Sequence, residues 1–128
     1  MKNCYCGNAL PYSKCCRPLL TGQIVVVSAE QLMRSRYTAY VMADVAYLIK
    51  TTHASHRHEL DAKEVLQWSK QNQWIKLEIL HVETNRVVFK AYFRDRSSKL
   101  NAHYEDSTFI LENGIWYYVE GTFDEPQL

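Results

Sequence analysis

Beyond position 16 this chain has no cysteine. A protein that used the thiol for packing would scatter it through the core, because free cysteine behaves as a small hydrophobe; clustering asks for another cause. The chain also lacks a charge excess. Its formal net charge is +1 and its pI about 7.7, so nothing in the balance demands nucleic acid or an anionic membrane. No apolar run is long enough to cross a bilayer. The start, Met-Lys-Asn-Cys-Tyr-Cys, has no apolar core of a secretory signal, which points to the reducing cytoplasm as the expected compartment. Phosphate loops, dinucleotide fingerprints and C-x-x-C redox motifs are missing as well. With every cysteine gathered at one end, no Cys-His or Ser-His-Asp grouping can be argued.

What is present begins with those cysteines: Cys4, Cys6, Cys15 and Cys16, spaced as C-x-C, a loop, then C-C. Two close pairs separated by a loop can converge on a tetrahedral ion, and four thiolates leave no open coordination position. One zinc ion is the expectation. Iron also suits soft thiolates, and two disulfides are the alternative if the environment is oxidising. Gly7 allows a tight turn in which backbone N–H groups point at sulfur. Pro11 and Pro18 stiffen the loop and the exit. Four thiolates on a divalent ion carry about −2, which Lys2, Lys14 and Arg17 can offset.

The run Cys4-Tyr-Cys-Gly-Asn-Ala-Leu-Pro-Tyr-Ser-Lys-Cys-Cys16 resembles the SEC-C motif, the zinc module at the C-terminus of the SecA translocation ATPase. Its four cysteines stand at that motif's ligand positions; Asn8 replaces the usual serine. The remainder is similar to the YchJ family. Leu32-Met-Arg-Ser-Arg-Tyr-Thr-Ala-Tyr40 looks like that family's first-helix signature, and Phe93-Arg-Asp95 and Gly114-Ile-Trp-Tyr-Tyr-Val-Glu-Gly121 like its later strands. The resemblance implies a SEC-C module over residues 1–22 and a nuclear-transport-factor-2-like (NTF2-like) domain over 23–128. Such a domain is α+β, a cystatin-like cone of helices against a curved antiparallel sheet. The resemblance supplies no reaction.

The residues themselves support two helices and four strands. Residues 17 to 27 read as a connector. Ser28 and Gln31 form a capping box, with Val27 stapled onto Leu32. Glycine and proline are absent from position 28 to position 50, so one unbroken helix is expected there. Asp61 with Glu64, and Leu60 with Val65, repeat box and staple; Val65, Leu66 and Trp68 form the apolar face, and Asn72 is a stop. After Trp74 the period becomes two, with a slip at Leu80 that predicts a bulge. Val87, Phe89, Ala91 and Phe93 share a face. Leu100 to Leu111 is a strand long enough to bend. Asn113-Gly114 predicts a type I′ hairpin. Short turns make this sheet a meander.

Within the expected cone, the stripe Tyr37, Tyr40, Asp44, Tyr47 defines a candidate pocket. A carboxylate buried there would have a raised pKa and could act as a general base, so Asp44 is the one weak catalytic candidate. His53, His56 and His58 do not match a regular zinc pattern and read as a solvated loop. His81 and His103 read as half-exposed strand residues.

Two functions follow from these readings. The first is a binding module rather than an enzyme, its closed metal site shaping a surface of Tyr5, Leu10, Tyr12, Lys14 and Arg17. By analogy with other SEC-C modules its partner would be a chaperone, a translocation component or the ribosome. The second is small-molecule binding or catalysis in the cone with Asp44 as acid/base. Specific nucleic-acid binding ranks last, because three basic residues give weak, salt-sensitive phosphate contact. A homodimer through the open sheet face is a further possibility.

Overall fold

The structure is a computed structural model and describes residues 2–125. A single 3₁₀ turn at Tyr12–Lys14 leads into α1 (Cys16–Leu20). Then come α2 (Ala29–Val41), α3 (Val45–Lys50), α4 (Ala54–Arg57) and α5 (Ala62–Gln71). Four strands follow: β1 (Gln73–Glu83), β2 (Arg86–Arg94), β3 (Leu100–Glu112) and β4 (Ile115–Thr122). They form one antiparallel sheet in the order β1-β2-β3-β4, the meander that the short turns predict. No helix among the described residues is long and apolar enough to cross a membrane.

The expected connector is partly helical. α1 starts on the last cysteine and buries Leu19, so irregular chain is confined to the stretch before Ser28. The cap of α2 forms as expected on one side: Gln31 N–H donates to Ser28 Oγ at 3.1 Å. The return bond lands one residue early, from Val27 N–H to Gln31 Oε1 at 2.8 Å. That fixes the Val27 backbone while its side chain turns outward, 74% exposed. Alternation then sends Val26 inward against the core, so Val27 does not staple onto Leu32.

The unbroken helix to position 50 is also corrected. α2 ends at Val41, and Ala43 adopts φ 55°. A left-handed alanine costs roughly 1–2 kcal/mol. Two gains offset it. Asp44 caps α3 by accepting from Tyr47 N–H at 3.1 Å. The turn also swings Tyr47 and Leu48 into a small core with Ala39, where Tyr47 Oη pairs with Ser35 Oγ at 2.7 Å.

Asp61 caps α5 through Lys63 and Glu64 N–H groups. The helix faces the core through Ser69 and Val65, whereas Leu66 and Trp68 sit more than one third exposed. Trp68 closes edge-on against Trp74 and Phe93 instead. Asn72 leaves the helix in extended conformation and donates to Trp68 C=O.

The sheet carries the expected bulge at Leu80, where the pairing steps from Ile79–Phe89 to His81–Val88. A second lies at Ile75, and a third on β4 between the pairs Thr108–Glu120 and Phe109–Tyr118. Each extra residue bends its strand and sharpens the twist, which curls the sheet around α2. Asn113 and Gly114 both have positive φ (53° and 79°), the geometry of a type I′ turn. Val87, Phe89, Ala91 and Phe93 are all buried. Val87, Phe89 and Ala91 meet Leu32, Met33 and Tyr37 of α2 in the main core with Phe109, while Phe93 packs against Trp68 and Trp74. Reciprocal bonds from His53 N–H to Tyr118 C=O and from Tyr118 N–H to Thr51 C=O tie the end of α3 to β4.

Candidate metal centre and the interior of the cone

The N-terminal segment has too few residues for a core, so its order must come from its sulfurs. The turn at Gly7 (φ 92°) is closed by its N–H on Cys4 C=O, and Cys4 N–H bonds Leu10 C=O. Gly7 therefore shapes the knuckle, and the N–H that points at the Cys6 sulfur is that of Asn8. The Asn8 side chain adds a second N–H···S contact, Nδ2 to Cys15 Sγ at 3.5 Å. The four sulfurs of Cys4, Cys6, Cys15 and Cys16 all lie within 4.8 Å of one another. Cys6 and Cys15 are 3.6 Å apart. A tetrahedron with metal–sulfur bonds of about 2.3 Å has sulfur–sulfur edges of about 3.8 Å, whereas a disulfide needs about 2.05 Å. The donor set therefore fits a metal ion and not two disulfides.

Electrostatics agree. Without a cation the thiols of Cys6, Cys15 and Cys16 do not ionise together. Cys6 is drawn down to about 5, chiefly by the hydrogen bond from Cys16 against the pull of burial. Cys16 is driven up by that same contact and by burial, and Cys15 to about 11 by burial. The Cys6 thiolate holds back ionisation of Cys15 and Cys16, and a bound dication would relieve both. Among the described residues no ion pair involves Lys2, Lys14 or Arg17, which are exposed around the cage.

The cage is joined to α2. Arg34 Nη1 donates to Cys6 C=O at 2.7 Å while its Nε pairs with Glu30 at 2.9 Å. Thr38 Oγ1 touches Cys4 Sγ at 4.0 Å. Arg34 and Thr38 are one turn apart and share a helix face.

The opposite side of α2 faces the cone. Met33, Arg36, Tyr37 and Tyr40 line a cavity of about 280 Å³ with Trp68, Trp74, Phe89, Glu105 and Tyr118 among the facing residues. Of the stripe expected to line it, Tyr37 and Tyr40 do; Asp44 and Tyr47 do not. Asp44 is spent as the cap of α3, and Tyr47 turns into the packing between α2 and α3. The cone's carboxylate is Glu105 instead, 8% exposed. It accepts from Ser107 Oγ and Tyr118 Oη, each at 2.7 Å, and from His103 Nε2 at 3.2 Å. Burial pushes its pKa up, but the three donors outweigh it and hold the carboxyl below the usual glutamate value. Arg36, 6% exposed, gives Nη1 to Leu48 C=O (2.9 Å), Thr51 Oγ1 (2.7 Å) and Thr52 Oγ1 (3.3 Å), and lays its guanidinium over the Tyr118 ring. Both charged residues had a signal in the chain. Arg36 lies three positions from Met33 on the helix, and His103, Glu105, Ser107 and Phe109 alternate onto one face of β3.

The three histidines after α3 do not converge on a metal. His53 caps α4 and bonds Glu112 at 2.7 Å, His56 approaches Glu120 at 3.6 Å, and His58 ends α4 exposed. His81 is exposed beside Glu83.

A cysteine cage fastened to the first long helix of a cone, with a curved four-stranded meander behind it, defines the class: an NTF2-like α+β domain preceded by a small knuckle whose four cysteines could hold a metal ion. Residues 28–121 match the family model of the YchJ middle NTF2-like domain. A UPF0225 protein of Geobacter sulfurreducens is 38% identical over 97% of this chain and 81% of its own. One from Vibrio vulnificus is 39% identical over 98% and 78%. The solution structure of a SEC-C motif containing protein from Rhodopseudomonas palustris superposes with a TM-score of 0.88 at 34% identity, covering 97% of this chain and 100% of that one. A crystal structure of a SEC-C motif containing protein from Psychrobacter arcticus gives 0.75 at 30%, covering 95% and 77%. The chain belongs to the YchJ family.

Proposed function

We propose that the chain holds one zinc ion through Cys4, Cys6, Cys15 and Cys16 and uses the ordered knuckle as a docking surface for a protein partner. The partner class is the preprotein-export machinery, a chaperone or the ribosome. The observation that carries this is the cage itself: four convergent sulfurs with no open position for chemistry, fixed to α2 by Arg34. A closed site shapes a surface rather than turning over substrate. That surface shows Tyr5 (51% exposed) and Leu10 (49%) flanked by Lys14 and Arg17. An aromatic and an aliphatic anchor with a basic rim is the composition of a protein-binding patch.

Metal analysis of reduced, purified protein tests the first part. One equivalent of zinc is expected; iron would announce itself by visible thiolate absorption, and no metal at all would defeat the reading. The second part is tested by cosedimentation with ribosomes and by titration against purified export chaperones. The metal-loaded protein, the chelated protein and a Tyr5→Ala/Leu10→Ala variant are compared. Binding lost in the last two supports docking through the knuckle; equal binding by all three refutes it.

A further inference from the structure

We infer that the cone cavity is a binding site for a small aromatic carboxylic acid, with the Arg36 guanidinium as carboxylate receptor. The site is independent of the metal cage and lies on the other side of α2.

The inference starts from hydrogen-bond accounting. Buried polar groups are normally paired. Tyr37 is 3% exposed, and Tyr40 is half-buried with its ring against Trp74. Neither phenol has a hydrogen-bond partner among the described residues, although Tyr47 and Tyr118 both do. Arg36 spends only Nη1 on the end of α3; its Nε and Nη2 have no partner among the described residues. The one fully occluded side-chain polar atom left without a partner there is Asn72 Oδ1. The free groups of Arg36, Tyr37 and Tyr40 therefore still reach open space, and all three residues line the cavity. Burial raises the pKa of both tyrosines, that of Tyr37 to about 12, so both hydroxyls stay protonated and donate. The cavity thus offers several unused donors from one helix face and asks for an acceptor.

Charge decides which acceptor. Glu105 is already served by Ser107, Tyr118 and His103. Arg36 has only neutral oxygens as partners, and no carboxylate stands within ion-pair distance of it among the described residues. The buried cation thus has no ion-pair partner of its own; it rests on the ring of Tyr118, whose hydroxyl serves Glu105. Nε and Nη2 lie on one edge of the guanidinium and form a fork that accepts a carboxylate side-on, two parallel bonds to two oxygens. The walls set the rest of the ligand. Tyr37, Tyr40, Trp68, Trp74, Phe89 and Tyr118 enclose about 280 Å³, the small end of ligand pockets, and their rings suit a stacked or edge-on arene. Trp68, 39% exposed, stands at the rim.

Benzoate is the probe, with benzamide as its uncharged match. Trp68 and Trp74 report binding by fluorescence, and amide shifts along α2, β2 and β3 locate it. Benzoate should bind saturably, with benzamide weaker by about tenfold or more. Arg36→Lys, which keeps the charge and loses the fork, should weaken benzoate by about tenfold. Tyr37→Phe/Tyr40→Phe removes two hydroxyls and nothing else, and should weaken it by about threefold to tenfold while the fold is retained. The inference is overturned if benzoate leaves the cavity resonances unmoved at millimolar concentration, if benzamide binds equally well, or if the double phenylalanine variant binds benzoate like the parent. Chelating the metal leaves the expected result in place, which separates this test from that of the knuckle.

Discussion

Gly121 on β4 stands opposite Ser107 on β3, and its missing side chain is what makes room for Glu105. A Cβ placed there would collide with Glu105 Oε2 and lie 2.7 Å from both Cγ and Cδ of the same side chain. Ordinary carbon contacts begin at about 3.5 Å, so Gly121→Ala must displace the glutamate by roughly 1 Å or spread the strands. The carboxylate cannot yield freely. Its Oε2 takes hydrogen bonds of 2.7 Å from Ser107 and Tyr118, and bonds to a charged acceptor are worth about 1.5–3 kcal/mol each. Partial loss of both, less the roughly 0.5–1 kcal/mol that alanine gains over glycine in a strand, gives a destabilisation of about 2–3 kcal/mol. Urea unfolding should then show its midpoint lowered by about 1–2 M. The decisive measurement is the double variant. In a Glu105→Ala background the obstacle is gone, and Gly121→Ala should be neutral or slightly stabilising, a coupling of about 2–4 kcal/mol. Equal losses in both backgrounds would refute the steric argument, and so would a neutral Gly121→Ala in the parent.

Asp44→Ala should cost about 1 kcal/mol, the usual value of an N-cap, and leave benzoate binding unchanged; loss of ligand binding at unchanged stability would return Asp44 to the cavity. Glu105 sets an acid limit. Its folded pKa lies below the unfolded value of about 4.5, so its ionised form stabilises the fold above that value, and the contribution is lost as pH falls through the unfolded and then the folded pKa. The stability gap between the parent and Glu105→Gln should therefore be full at pH 7 and shrink below about pH 4.5; a gap that widened in acid would reverse the assignment.

Local signals were legible in the chain and distributed ones were not. The Leu80 bulge, the Asn113–Gly114 turn and the Ser28 cap each depend on a handful of neighbouring residues, and each stands where the pattern placed it. The four sulfurs were legible for the same reason, since two pairs within thirteen residues can hardly avoid one another. Asp44 misled because its spacing suited a helix stripe and its chemistry suited a cap. The cap prevailed once Tyr47 and Leu48 found a core that a straight helix would have denied them. The alternation of β3 put Glu105 on the Phe109 face, but its burial was not legible from its own strand. Its neighbours His103 and Ser107 are polar, which reads as a wet face, and only the pairing of β3 with β4 supplies the Tyr118 hydroxyl that makes its burial tolerable.

Helix α2 explains why the two sites belong to one molecule. Eight of its residues are buried, among them Ser35, Arg36 and Thr38, and its apolar residues form no single stripe. A helix hidden on several sides needs partners for the polar groups it buries, and apart from the groups that face the cavity they are found. Ser35 finds Tyr47 on α3, Arg36 finds the carbonyl and hydroxyls at the end of α3, and Thr38 finds the sulfur of Cys4. Remove the knuckle and Thr38 and Arg34 lose their covering, while Arg36, Tyr37 and Tyr40 on the other side still face the cone. The cysteine knuckle is therefore one wall of the packing around α2. A short knuckle without a core of its own gains its fixed orientation from the same helix that presents the guanidinium and two phenols to the cavity.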